Sequence, residues 1–108
     1  MNMNGIKFGT LPIKRAKFGG GHPHIIICEI NNYYFSVGLT NSPKSGSHKN
    51  YEVMYSNGLK AYMVHYPSYF RKKSYYDKSE DYHLRKTDEK RAKEIVFNSI
   101  KFKNKKSD

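Results

Sequence analysis

Gly19-Gly20-Gly21-His22-Pro23-His24 runs into Ile25-Ile26-Ile27-Cys28-Glu29-Ile30, a turn at Asn31-Asn32, the segment Tyr33 to Leu39, and Thr40-Asn41-Ser42-Pro43-Lys44. This stretch decides the fold. A β-branched run bounded by a Gly/Pro loop on one side and an Asn-Asn dipeptide on the other reads as a buried strand turning into a second one. The far end of that hairpin carries hydroxyls, an amide and a lysine on a loop held by two strands, where chemistry or ligand contact is expected. The three glycines give the backbone freedom to swing into the first long strand and could expose N–H groups as an anion nest.

Working outward, Ile6-Lys7-Phe8 reads as a short strand, Pro12 argues against a long central one, and Lys14-Arg15-Ala16-Lys17 reads as a basic loop. On the other side, Ser45 to Lys49 continues a flexible connection, and Tyr51 to Tyr55 alternates as a strand should. Ser56-Asn57-Gly58 makes a hairpin turn, and Leu59 to His65 returns until Pro67 ends it. Two aromatic-basic segments follow, Tyr66 to Lys73 and Ser74 to Lys78. The first suits single-stranded RNA or, equally, a surface loop whose rings pack down on the sheet. A helix begins with Thr87 as N-cap and Asp88 and Glu89 in its first turn, with Ala92, Ile95, Val96, Ser99 and Ile100 along one face. The expected class is α+β: a five-stranded, strongly bent antiparallel sheet or small SH3-like barrel with the C-terminal helix packed on it. Residues 1–102 form one basic domain and residues 103–108 a flexible basic tail.

The 108 residues leave room for one core. No apolar run approaches the ~20 residues that cross a bilayer, and the N-terminus lacks a signal-peptide core, so a soluble, cytoplasmic chain without a membrane partner is expected. The lone cysteine, Cys28, has no partner for an internal disulfide. Twenty Lys and Arg against nine Asp and Glu give a net charge of +11, a field that attracts polyanions. The excess is distributed: residues 1–65 hold 7 basic and 2 acidic side chains, residues 66–108 hold 13 and 7. Ten tyrosines and six phenylalanines add flat faces on which unpaired bases stack, although an AT-rich genome would impose a similar composition.

The five histidines follow no zinc spacing, and Walker, nucleophile-elbow and dinucleotide motifs are missing. Scattered carboxylates do not suggest a two-metal nuclease, so any phosphodiester cleavage is expected to proceed without metal or cofactor. Metal-free RNA cleavage needs a base for the 2′-hydroxyl, a cation for the charged phosphorane and an acid for the leaving oxygen. Thr40, Ser42, Lys44 and His48 share one loop and fit those roles, with His24 or His22 across the sheet edge as acid or base. His22, Lys49, Tyr69, Arg71, Lys72 and Lys73 are the candidate nucleic-acid contacts.

His22-Pro23-His24-Ile25-Ile26-Ile27 followed by Gly38-Leu39-Thr40-Asn41-Ser42-Pro43-Lys44 resembles the strand, turn, strand and Thr/Ser loop of the MazF/PemK-like and ToxN/AbiQ-like endoribonuclease toxins. The resemblance implies a toxin-antitoxin or phage-defence ribonuclease acting on single-stranded RNA and restrained by a protein or RNA antitoxin. Thr40, Ser42 and Lys44 would lie in its active site, and a homodimer is among the assemblies it admits. His22-Pro23-His24 with Tyr69-Phe70-Arg71-Lys72 also resembles the two-histidine and Tyr-x-x-Lys motifs of HUH-type single-stranded DNA endonucleases, with Tyr69 as nucleophile. A third reading is a non-catalytic RNA-binding phage or regulatory protein.

Overall fold

The computed structural model describes residues 13–17, 22–77 and 83–106, with side chains as far as Ile100. The expected strand at Ile6 to Phe8, Pro12 and the glycines at 19–21 lie outside the described residues. In chain order the elements are β1 (Ile13–Ala16), β2 (Pro23–Ile30), β3 (Tyr33–Thr40), β4 (Lys44–Ser45), β5 (His48–Lys49), β6 (Tyr51–Met54), β7 (Lys60–Arg71), a 3-10 turn at Lys72–Ser74, β8 (Tyr75–Asp77) and α1 (Lys86–Lys106). Six strands form one antiparallel sheet in the order β6-β7-β3-β2-β1-β8, with α1 packed on it, and β4 and β5 make a separate two-stranded ribbon. The class is α+β, and of the two expected forms it is the bent, open sheet.

The hairpin β2–β3 sits at the centre, reversing through Asn31, whose φ of 56° falls in the left-handed region that Asn tolerates. Its apolar run is continuous because both faces of β2 are covered. Ile25, Ile27 and Cys28 join Val37, Leu39, Val53 and Met63 in the core beneath the helix. The register shifts between Ile26 and Cys28, a bulge that brings two successive residues to that side. Burial pushes the Cys28 thiol up to about 11, so it serves as a small hydrophobe.

The sheet is rolled, and chain connectivity forces it. β7 and β8 are separated by β3, β2 and β1, four strand spacings that span about 19 Å in a flat sheet. Four residue steps from Arg71 to Tyr75 reach at most about 14 Å. Register widens the mismatch, since Arg71 pairs with Tyr33 at one end of the hairpin while Tyr75 pairs with Ala16 beyond Pro23 at the other. Only a sheet coiled on itself lets three residues make the link. Inside the coil, on the face away from α1, lie His24, Ile26, Ser36, Phe70 and Tyr75.

The structure corrects several expectations. Lys14 to Ala16 is strand, because β1 finds partners on both sides, β2 and β8. Ser45 to Lys49 is the β4–β5 ribbon, turned by Gly46 at φ 63°. Pro67 does not end β7: the partner β6 stops at Met63, so beyond it β7 is an edge strand, where a sheet tolerates proline. The rings of Tyr66 to Phe70 therefore stand on a strand and not in a loop. The helix starts at Lys86, one residue before the expected cap, and it includes Lys103, Lys105 and Lys106, which the sequence assigned to a tail.

Buried positions recur every four residues along α1, at Asp88, Ala92, Val96 and Ile100, continuing the line from Leu84. A buried carboxylate in this stripe needs partners. Asp88 accepts the Met54 N–H at 3.0 Å and the Arg85 guanidinium at 3.0 and 3.2 Å. It fastens the helix start to β6, the strand edge that Ser56, Tyr55 and Met54 also close through contacts with residues 83–85. Replacing Asp88 by Ala strands the half-buried Met54 N–H and should lower unfolding free energy by about 1–3 kcal/mol, read from urea denaturation. A loss below a few tenths would show that the tie is replaceable.

Candidate active site

The site grows from the pairing of His24 with Gly38 across the central hairpin. A β-carbon at position 38 would lie 3.3 Å from His24 Cε1 and 3.6 Å from Nδ1, so glycine leaves the space that the imidazole fills. The ring meets Phe70 and Tyr75 edge-on, with centroids 5.7 and 5.4 Å away. Burial, reinforced by the nearby His22, lowers its pKa to about 4, so His24 is neutral at pH 7. Its Nδ1 lies 3.3 Å from the Ser36 hydroxyl, which donates to the Ser68 carbonyl at 3.3 Å and also meets the Tyr75 hydroxyl at 3.1 Å. With the serine proton given to the carbonyl, Nδ1 carries the imidazole proton and Nε2 keeps a lone pair.

The loop beyond β3 is held by side chains. Thr40 Oγ1 accepts the Ser42 N–H at 3.2 Å, and the Asn50 N–H bonds the Pro43 carbonyl at 2.9 Å. The Asn50 side chain, 8% exposed, donates to the Ser42 carbonyl at 3.0 Å and to Ser45 Oγ at 2.8 Å. A carbonyl only accepts, so this orients the amide and turns Oδ1 toward His65, where it takes the backbone N–H at 3.3 Å and Nδ1–H at 3.1 Å. His65 is thereby fixed with Nε2 unprotonated in its neutral form. The ribbon places Lys44 directly opposite Lys49, and among the described residues neither ammonium has a carboxylate within ion-pair reach. Like charges opposed in this way favour an anion between them.

Two hollows flank the Thr40–Ser42 ridge. One, of about 270 Å³, gathers His22, His24, Thr40, Ser42 and Lys44 with Ser45, Tyr66 and Ser68. The other, of about 380 Å³, lies across the ridge and adds Arg15, Asn41 and Tyr55 to His22, Thr40 and Ser42. Five sequence-predicted residues thus share one concavity. His48 does not line it: its ring packs against His65, with centroids 5.3 Å apart. Arg71, Lys72 and Lys73 line a third hollow, of about 530 Å³, with Asn32 and Tyr33 at the turn of the hairpin. Lys72 contacts Glu29 there and stands over the Tyr34 ring.

Tyr69 faces the helix, packed on Phe35 with its hydroxyl on Ser99, while His24 faces the inside of the roll. The two-histidine and tyrosine constellation is therefore not brought together. No group of three or more His, Cys, Asp or Glu side chains among the described residues is placed to hold a metal ion. No helix among them is long and apolar enough to cross a membrane. The residues that sequence reading overlooked are Asn50, His65, Arg15, Gly38 and Ser36. Gly38 and His65 carried no local signal, since they act through His24 and Asn50, 14 and 15 residues away in sequence. Ser36 stood on a strand with an otherwise apolar and aromatic neighbourhood, and its position between two predicted strand faces was the available clue.

No known protein family matches the chain, and neither a curated protein nor a solved structure shows detectable similarity to it.

The neutral state of His24 has a consequence for stability. Its folded pKa of about 4 lies below the usual imidazole value near 6.5, so the unfolded chain binds the extra proton between those two pH values. Stability contributed by burying the neutral ring is complete above about pH 6.5 and declines as pH falls toward 4. In urea titrations, the wild type should lose up to about 3 kcal/mol more than His24→Gln between pH 7 and pH 4. Parallel losses in the two chains would show that His24 is not held neutral.

Proposed function

We propose that the chain is a metal-independent endoribonuclease that cleaves single-stranded RNA by 2′-hydroxyl attack. The observation that carries this reading is the convergence of neutral His24, His22 and Lys44 on one solvent-open hollow beside the Thr40 and Ser42 hydroxyls. The scissile phosphate lies against Lys44 and the hydroxyl ridge. His24 Nε2 takes the 2′-hydroxyl proton as the 2′-oxygen bonds to phosphorus. The P–O5′ bond breaks, and His22 gives the leaving oxygen a proton. The products are a 2′,3′-cyclic phosphate and a 5′-hydroxyl. Lys44 stabilises the extra negative charge of the phosphorane, a term that grows where water is excluded. The resemblance of residues 22–27 and 38–44 to toxin endoribonucleases adds an antitoxin, protein or RNA, as the partner that restrains this activity, and a homodimer as one form of the free toxin. Cytoplasmic RNA is the substrate in that setting.

Labelled single-stranded RNA incubated in EDTA should yield cyclic-phosphate ends. Lys44→Ala and His24→Ala should each lower kcat/KM by about 10²–10⁴-fold, with circular dichroism confirming a folded chain. Cleavage abolished by EDTA, or both variants at wild-type rates, would refute the assignment. Salt-sensitive binding without any cleavage would leave a non-catalytic RNA-binding module.

A further inference from the structure

The hollow around Lys44 and the hollow around Arg71 and Lys73 lie at the two ends of one strip of β7. Between them, Tyr66, Ser68 and Phe70 alternate onto the face that carries His24. Tyr66 and Phe70 are 50% and 38% exposed, while at the far end the register puts Tyr33, 41% exposed, and Arg71 on the opposite face with Phe35 and Tyr69, so the strip turns over the end of the β7 edge to reach them. Exposed rings set along an edge strand and ended by cations match what unpaired bases and their phosphates require: a stacking surface for the first and positive charge for the second. A duplex hides its base faces and cannot use such rings. The only carboxylate among the described residues beside the far end, Glu29, is already engaged by Lys72.

We propose that this strip is a binding track for single-stranded RNA that leads out of the Lys44 hollow and ends at Arg71 and Lys73. The proposal rests on the single-stranded RNA reading of that hollow for its direction and adds the length of the substrate and the path it takes. From Tyr66 to Arg71 the strand runs about 17 Å at 3.3 Å per residue. A strand stacked at about 3.4 Å per nucleotide fills this with about five nucleotides, and a more extended one with fewer. The substrate class is therefore an unpaired segment of about four or five nucleotides on one side of the scissile bond.

The test uses 2′-O-methyl oligouridylates of two to ten nucleotides, which bind but are not cleaved, followed by fluorescence anisotropy. Affinity should rise with length to about five nucleotides beyond the first and then level off. Arg71→Ala/Lys73→Ala should weaken the hexanucleotide about tenfold and leave the dinucleotide unchanged. The slope of log affinity against log salt should become shallower by about 1.4, or 0.7 for each lost phosphate contact on a single strand. Arg71→Lys/Lys73→Arg keeps both charges and should bind as the wild type does, which separates loss of contact from loss of fold. Tyr33→Ala should weaken the longer oligomers alone.

Equal hexanucleotide affinity in the wild type and the alanine pair overturns the track. If those chains still cleave a dinucleotide, the nuclease reading stands without it. Length-dependent binding that is lost in the alanine pair, from a chain that cleaves nothing, supports the track and removes the nuclease. Displacement of the hexanucleotide by polyglutamate at equal charge concentration would assign the strip to an acidic polypeptide and overturn the RNA track.

Discussion

Three residues, Lys72 to Ser74, must carry the chain from one side of the sheet to the other, and the rest of the molecule is shaped by that short link. A flat sheet would leave its ends too far apart, so β7, β3, β2, β1 and β8 coil until Tyr75 reaches the Ser36 hydroxyl two strands from its own partner. The coil has an inside, and its lining is mostly aromatic and polar where the helix-facing side is mostly aliphatic. His24 owes its burial to this geometry. Lengthening the link would relax the coil, open the interior to water and remove the reason for an imidazole to stay neutral there.

Charge and burial act in opposite directions in the same small volume. The chain carries a net +11, yet the buried imidazole of His24 is uncharged, while Lys44 and Lys49 stand opposed on an exposed ribbon. In the proposed nuclease, this pairing of cations with a neutral imidazole would divide labour between groups that hold an anion and a group that accepts a proton. Desolvation keeps the imidazole neutral, and Asn50, bonded to Ser42 and Ser45 on either side of Lys44, holds the ribbon that carries the lysine. The proposed chemistry would thus lean on a buried amide with no chemistry of its own.

Much of the central architecture was legible in local signals. The Ile-rich run with its Asn-Asn turn announced the hairpin, Asn57-Gly58 the second reversal, and the i, i+4 spacing of Ala92, Val96 and Ile100 the packed face of the helix. What escaped was set by pairing at long range. Lys14 to Ala16 looked like a loop because four residues with two cations have little strand character until β2 and β8 supply ladders on both sides. Pro67 looked like a terminator because sequence does not reveal that β6 leaves β7 at Met63. The site followed the same division. Thr40, Ser42, Lys44, His22 and His24 were found together because a strand pair delivers them to one end. His48 was separated because the ribbon turns it toward His65, and Tyr69 because strand alternation sends it to the opposite face.

The contact between Gly38 and His24 ties two positions that are far apart in the chain into one steric unit. A β-carbon at 38 would sit 3.3 Å from the imidazole, so a side chain there requires the ring to give by a few tenths of an ångström. Descendants of this sequence that acquire alanine or serine at 38 would have to shift the ring at 24, and those that lose the ring would be free of that constraint on the residue opposite it. Covariation of this pair would therefore trace where, in a lineage, the buried imidazole was retained and where it was given up.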